Sequence, residues 1–468
     1  MVKSWEKKKV LIMGLGLQGG ALQVALWLLK QGAQITITDL KNSQQLKSSL
    51  DQLKKHQDFK KIKFTLGKHL ESDFVQQDLI IKNPGVPRES KFLKIAKDNN
   101  IPIINEAVMF FGLYPGKIIG VTGTRGKSTT STLLHQILKT EIKDNVVAGN
   151  IATVPMFSIL DKISKDSKPV LELSSWHLED LAEYKRSPYL AIVTNVLIDH
   201  LNRYQNFAAY KQAKMAIVKN QKKTDLAILN YDNLTTKSFA KFTKAKVYYF
   251  SVKQKVPRGV YLKENSFYFC DHKKETCITA VKDWHIFGEA NLSNAAAAIC
   301  AAYLLKISKQ NIAKACRNFK GVEYRFQPLG KLKNVEVFND ATASTPDATI
   351  AAISALENKK ILLIAGGEDK ELVYRDLALL IKKRKVRVVL LAGSASKKLL
   401  IELKKIKYPE ENLDLNLPSL KTAFQKAKKY LNQADVLLFS PAAASFNMFA
   451  NEFERAKQFS QLVKNDQK

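Results

Sequence analysis

Twice in this chain an apolar stretch of strand length runs into a glycine-rich turn that opens a helix. Val10–Met13 leads into Gly14-Leu15-Gly16-Leu17-Gln18-Gly19, and Lys117–Val121 leads into Thr122-Gly123-Thr124-Arg125-Gly126-Lys127-Ser128-Thr129. A buried strand, a tight glycine turn and a helix with free N–H groups at its start together make an anion site at the edge of a parallel sheet. The same alternation of short apolar strands with helices continues along the chain, which places it in the α/β class with mainly parallel sheets.

A length of 468 residues fits about three domains. In the first, Gln34–Thr38, Asp78–Lys82 and Ile101–Ile104 read as further strands, and Tyr114-Pro115-Gly116 marks its end. The second continues through Val170–Leu173, Leu190–Thr194 and Asp225–Leu229, with a small antiparallel annex between Val247 and Cys270. It also holds an alanine-rich helix, Asn294–Leu305, able to pack closely on a sheet. The polar stretch Gly321–Gly330 reads as a linker to a third α/β domain with strands Val335–Phe338, Lys360–Ala365, Val386–Ala392 and Asp435–Phe439. The expected boundaries are 1–115, 116–322 and 323–468.

Composition removes several classes. Hydrophobic residues at 46% and charged residues at 25% exclude a disordered or fibrous chain. Cys270, Cys277, Cys300 and Cys316 are too few for a disulfide scaffold and fit no zinc spacing, so they read as reduced thiols of a cytosolic protein. Val10–Leu29 follows Lys7-Lys8-Lys9 and resembles a signal or anchor segment in hydropathy. Gln18, Gln23 and four glycines interrupt it, which favours a strand, a turn and a helix in a soluble protein without membrane insertion. The net charge of +32 admits nucleic acid, an anionic surface or acidic small substrates as partners. Basic residues interleaved with exposed aromatics are missing, so nucleic acid is not expected. Most of the excess is lysine on helix faces, as in Lys382–Lys385 and Lys397–Lys407.

Residue chemistry sharpens the two turns. After Gly14–Gly19, Asp39 closes the next strand 20 residues on, the arrangement that places a carboxylate on a ribose hydroxyl. Any phosphate-bearing ligand suits the same turn. In the second, Gly123, Gly126, Lys127 and Ser128 let backbone N–H groups wrap phosphates while Lys127 reaches the terminal ones and Ser128 ligates Mg²⁺. Its spacing is a variant of the general P-loop. Glu172 ends a buried strand, where a lone carboxylate needs a cation, an ion pair or solvent. Asp199-His200 follows another strand at the end where ligands bind in such sheets. Lys214, taken alone, reads as a solvated helix lysine.

The series Gly-Thr-Arg-Gly-Lys-Ser-Thr, Leu-Glu-Leu-Ser-Ser-Trp-His-Leu-Glu, Thr-Asn-Val-Leu-Ile-Asp-His-Leu-Asn-Arg-Tyr, Tyr-Lys-Gln-Ala-Lys214, Gly-Glu-Ala-Asn291-Leu-Ser-Asn294, Tyr-Arg325-Phe and Asn-Asp340 resembles the Mur ligase family over essentially the whole chain. The glycine-rich start and the end Leu-Phe-Ser440-Pro-Ala-Ala-Ala-Ser445-Phe446 resemble its glutamate-adding branch. The resemblance implies a Rossmann-like first domain for a uridine diphosphate sugar, a central ATPase-like domain and a Rossmann-like third domain for the amino acid. Leu17, Gln18, Asp39, Gly85, Asn150 and Ser175 match sugar-nucleotide positions. Gly123, Thr124, Arg125, Gly126, Lys127, Ser128 and Thr129 match the ATP phosphate loop, with Asn291, Asn294, Arg325 and Asp340 also at ATP. Ser128, Glu172, His200 and Lys214, the last as a carbamate, match metal-site positions, and Lys127, Glu172, His200 and Lys214 the catalytic set. Ser344, Lys370, Ser445 and Phe446 match the glutamate pocket.

The implied reaction joins glutamate, in that branch D-glutamate, to UDP-N-acetylmuramoyl-L-alanine through an acyl phosphate, with ATP and Mg²⁺, in a cytoplasmic monomer. Four positions depart from the family's usual residues: Thr342 for a lysine, Glu452 for an aromatic, His177 for a glutamine and Arg125 for an asparagine. The first two leave L-glutamate or another acidic amino acid open. A regulatory NTPase without ligase chemistry is the reading from another class.

Overall fold

The computed structural model describes residues 4–17, 19–151, 154–199, 203–286, 288–445, 448–449 and 451–467. Gln18, His200 and Phe446 therefore lie outside the described residues.

Three sheets form. The first is wholly parallel, in the order Lys63–Leu66, Gln34–Asp39, Lys9–Met13, Leu79–Lys82, Ile103–Ile104. The central strands are apolar and covered on both faces, as parallel strands must be. Leu11, Met13 and Ile80 pack with Phe74, Leu93 and Ala96. The stretch that resembled an anchor is here a strand, a turn and the helix Gly20–Lys30. No helix among the described residues is long and apolar enough to cross a membrane.

The second sheet has nine strands. Val147–Gly149, Val170–Glu172, Ile119–Thr122, Leu190–Val193, Leu226–Asn230, Lys246–Ser251 and Arg258–Lys263 are parallel neighbours in that order. Ser266–Asp271 and Lys274–Ala280 then continue antiparallel. The expected antiparallel annex is thus corrected: Lys246–Ser251 extends the parallel sheet, and only the hairpins after it reverse direction. The alternation of Tyr and Phe there reflects a half-covered sheet, a signal blind to strand direction. The alanine-rich helix spans Glu289–Leu304, and Ala295–Ala302 are fully buried, with the neighbouring Tyr303 ring 4.6 Å from that of Phe269.

The third sheet runs Gln327–Leu332, Val335–Asn339, Val436–Phe439, Ile361–Ala365, Arg387–Leu391, Leu413–Leu417. Part of the expected linker is therefore an antiparallel edge strand, Gln327–Leu332. The other strands are parallel and alternate between two cores. Leu363, Val388 and Leu438 meet Ile353, Leu377 and Leu399 on one face. Leu362, Val389 and Leu437 meet Phe424, Phe459 and Val463 on the other.

By its contacts the chain divides into two compact units. The first (1–196, 210–281 and 295–316) holds the first two sheets, and the second (197–209, 282–294 and 317–468) holds the third. The four cysteines are free; Cys270, Cys300 and Cys316 are buried and Cys277 is exposed.

Candidate active site

The second glycine turn lies at the carboxyl end of Ile119–Thr122, a fully buried strand. Gly123 has φ +153°, and a Cβ there would stand 1.8 Å from Thr194 Oγ1, so a side chain has no room. Gly126, with φ +84°, caps the helix Lys127–Leu138. The loop is strapped to the end of the neighbouring strand. Thr124 N donates to Asn195 O (2.9 Å), Arg125 N to Asn195 Oδ1 (2.9 Å) and Thr194 Oγ1 to Arg125 O (2.5 Å).

Two ammonium groups converge on this loop. Lys127 Nζ donates to Gly123 O (3.0 Å) and Thr124 O (3.2 Å), and Lys214 Nζ donates to the same Gly123 O (2.9 Å). Lys214 is 2% exposed, with its Nζ 4.8 Å from the centre of the Tyr210 ring. The solvated reading of Lys214 is thereby corrected: its side of the helix Phe207–Lys219 packs on the phosphate loop. Two like charges bonded to one carbonyl favour an anion nearby, or loss of one of the charges.

The carboxylate expected to need a partner has two. Glu172 is 1% exposed; Ser128 Oγ donates to its Oε2 (2.7 Å) and Asn150 Nδ2 to its Oε1 (3.0 Å). Asn150 reaches it because Gly149 lets the backbones close: a Cβ on Gly149 would lie 2.3 Å from Glu172 O. Ser128 and Glu172 present hard oxygen donors, the set Mg²⁺ prefers, so they fit that ion. Asp199 is buried two residues beyond Leu197 in the same strand-end loop, and Thr129 is buried in the helix's first turn.

At the first sheet Gly14, Gly16 and Gly19 all have positive φ. Both oxygens of Asp39 accept backbone N–H groups, Oδ2 from Gly16 (3.0 Å) and Oδ1 from Lys41 (2.9 Å), so this carboxylate shapes the turn. Leu17 is half exposed, and Gly85 N donates to Asn83 Oδ1 (3.0 Å). Asn83, which the sequence reasoning missed, lies against both Gly14 and Gly16. Ser175 is buried as the first residue of the helix Ser175–Glu183. Its cap Ser174 and His177 hold each other in a capping box, a role open to glutamine as well.

In the third sheet Asp340 follows Val335–Asn339. Phe326 N donates to its Oδ1 (3.0 Å) and Ser440 Oγ to its Oδ2 (2.8 Å). Burial raises its carboxyl to about 7, against the pull of those two bonds and of Arg325 and Arg455. Lys370 Nζ donates to Ser344 Oγ (3.1 Å), which brings two of the expected glutamate-pocket residues together. Ser445 is buried in the loop after Val436–Phe439. Thr342 Oγ1 turns to Tyr324 O (2.9 Å), and Glu452 opens the helix Glu452–Asp466. That helix carries a residue sequence reasoning missed. Arg455 is fully buried and bonds Ala443 O (3.1 Å) and Ala341 O (2.7 Å), tying the loops after two strands. Its four-residue spacing from Phe459 and Val463, on the core face, was the available signal. Asn291 and Asn294 sit in the first turns of Glu289–Leu304, and Arg325 follows Tyr324 before the edge strand.

A glycine-rich loop at the head of a helix, with two lysines on one of its carbonyls and a buried carboxylate on its serine, has the form of a nucleotide-phosphate site in an enzyme. Three family models match in series: Mur ligase MurD-like N-terminal domain over 8–105, Mur ligase middle domain over 121–302, and Mur ligase glutamate ligase domain over 324–443. The chain belongs to the Mur ligase family, whose members are ATP-dependent ligases, and has its three-domain α/β fold. The chain is 36% identical over 466 residues to the UDP-N-acetylmuramoylalanine–D-glutamate ligase of Roseiflexus sp. (strain RS-1), covering 97% of this chain and 98% of that one. The enzyme of the same name from Koribacter versatilis is 36% identical over 457 residues, covering 98% and 97%. Among solved structures, the UDP-N-acetylmuramate–alanine ligase of Thermotoga maritima aligns over 98% of this chain and 99% of its own with TM-score 0.62 at 20% identity. A pseudomurein peptide ligase type C from Methanothermus fervidus covers 98% of this chain and 100% of its own, with TM-score 0.58 at 18% identity.

Proposed function

We propose that this chain joins D-glutamate to UDP-N-acetylmuramoyl-L-alanine at the expense of ATP, with domains at 1–115, 116–322 and 323–468. The observation that carries the chemistry is the convergence of Lys127 and Lys214 on Gly123 O beside the Ser128–Glu172 pair. Identity of 36% over nearly the full length to relatives named for this reaction supports the substrates.

A carboxylate is a poor acyl donor. An oxygen of the substrate's alanine carboxylate attacks the terminal phosphorus of ATP, the bond to the bridging oxygen breaks, and ADP leaves with an acyl phosphate formed. The glutamate amine then attacks the acyl carbon, loses a proton and expels inorganic phosphate from the tetrahedral adduct, leaving an amide. Two anions have to meet in the first step, and Lys127 with the loop N–H groups offsets their repulsion. Ser128 and Glu172, with His200 and Lys214, would hold Mg²⁺, which when bound supplies further charge neutralisation on the phosphates. In this reading the Lys214 ammonium loses a proton, and the neutral amine takes up CO₂ with release of a second, so that one of two crowded cations becomes a carboxylate. Asn291, Asn294, Arg325 and Asp340 hold the rest of ATP. Leu17, Gln18, Asp39, Gly85, Asn150 and Ser175 hold the sugar nucleotide. Ser344, Lys370, Ser445 and Phe446 hold glutamate, with the Lys370 ammonium suited to its side-chain carboxylate. The enzyme works as a monomer in the cytoplasm, without a nucleic-acid partner.

Phosphate release by purified protein tests the reading. It is expected only when ATP, UDP-N-acetylmuramoyl-L-alanine and glutamate are all present; release that ignores the sugar nucleotide and glutamate points to the regulatory NTPase.

A further inference from the structure

The third sheet carries a cavity at the end opposite its candidate glutamate residues. It lies at the amino ends of Ile361–Ala365, Arg387–Leu391 and Val436–Phe439, whereas Lys370 and Ser445 follow the carboxyl ends of two of these strands. Five residues of strand separate the two ends, about 15 Å. A molecule bound there therefore leaves the amino-acid site open.

The cavity measures about 530 Å³, within the range of small-molecule sites. Five cations line it: Lys359, Lys360, Arg384, Lys385 and Arg387. Glu357 is the one carboxylate among its described lining residues. Both arginines are fixed. Arg384 donates to Leu356 O (2.7 Å) and, at 3.4 Å, to Ile353 O and Lys359 O, which locks the chain after the helix Pro346–Ser354. Arg387 lies 3.5 Å over the Tyr430 ring, donates to Asn412 Oδ1 (3.4 Å) and has the Asp414 carboxylate 3.9 Å away, so part of its charge is already answered. The nearby carboxylate of Asp435 is turned to Lys360 N (2.7 Å). Lys359, Lys360 and Lys385 are exposed, with Lys359 in a solvent-exposed pair with Glu336 at 3.7 Å. A rigid positive wall with three ammonium groups at its rim is suited to a compact, multiply charged anion. The apolar floor at Ile361 and Leu362 and the flank of Tyr430 suit an uncharged remainder.

We propose that this cavity binds a small phosphorylated molecule, at a site separate from those of the ligase reaction. Its volume of about 530 Å³ suits a small ligand rather than a polymer, which would need an extended basic groove.

Isothermal titration of the full chain with inorganic tripolyphosphate tests this. One binding component is expected to weaken about tenfold or more in Lys359→Glu/Lys360→Glu/Lys385→Glu. It should persist in Lys127→Ala, and in Lys383→Glu/Lys397→Glu/Lys457→Glu, which makes the same change of charge elsewhere. A circular-dichroism melt of each variant controls for folding. The proposal is overturned if wild type binds no tripolyphosphate, or if the component is lost in Lys127→Ala and kept in the cavity variant. Equal loss in both triple variants overturns it too, since general attraction to a basic chain then suffices. So does tight binding of a single-stranded oligonucleotide in place of tripolyphosphate, lost in the cavity variant, which would mark a nucleic-acid surface.

Discussion

Gly123 O accepts from two lysines, and the roles of those lysines separate by mutation. In its proposed role the Lys127 ammonium, which here donates to Gly123 O, turns to the phosphates, and Lys127→Ala is then expected to lower turnover by about 10²-fold or more in a phosphate-release assay. Near-normal activity would refute its phosphate role. Lys214→Ala is expected to lose most activity and to regain part of it with added formate or acetate, which replace a carbamate's carboxylate. Full activity without such additives would remove the carbamate. Asp340 makes a prediction about pH. Its folded pKa of about 7 lies above the ordinary 3.8, the reverse of the usual carboxylate case. The folded state then holds the proton more tightly, so this group lowers stability as pH rises from about 4 to about 7, with no further loss above. Asp340→Asn should flatten that part of the pH profile of thermal unfolding; an unchanged slope between about pH 4 and 7 would place the titration elsewhere. Lys214 also shows what single-residue reading misses. A lysine on a helix with polar neighbours carries the pattern of a solvated face, and only the helix's position against the phosphate loop buries it.

Among elements, the helix Ser175–Glu183 does more than begin at the end of a sheet strand. Its Asp180 meets Lys82 Nζ at 2.7 Å, with both side chains buried, and also Arg88 at 3.2 Å. Lys82 ends the strand Leu79–Lys82 of the first sheet, so this pair joins the helix to that sheet. Lys82→Met leaves a buried carboxylate with a poorer partner and should destabilise by about 3 kcal/mol. Lys82→Met/Asp180→Leu should recover most of that loss in denaturant unfolding; no recovery would mean that Lys82 acts through packing alone. Nothing in the sequence pairs these residues, which are far apart along it. The central strands were legible because both their faces are buried and read as continuous apolar runs. Val147–Gly149, Lys63–Leu66 and Leu413–Leu417 were missed because these edge strands are only partly buried and need little apolar surface. Gln327–Leu332 was hidden by its own glycine and proline, which an edge position tolerates.

For the whole molecule, the order of motifs made family and chemistry legible, while the partners of each side chain needed the fold. The loop at 122–129 was recognisable because its glycine spacing, lysine and serine form a pattern that suits phosphates wherever it occurs. Arg455 and Asn83 were not, since their work is to hold other loops. The +32 charge divides in the same way. A few cations stand at the candidate reaction site, five line one distal cavity, and much of the rest is solvated lysine. What the molecule as a whole is proposed to do is discriminate one amino acid while activating one carboxylate, and Thr342 and Glu452 make the amino acid the sharpest question. Mass spectrometry of the nucleotide product, with differently labelled D- and L-glutamate competing in one reaction with ATP and UDP-N-acetylmuramoyl-L-alanine, answers it directly. The account predicts a product carrying the D-glutamate label, formed only with ATP. A product carrying the L label, or no glutamate adduct at all, would contradict it.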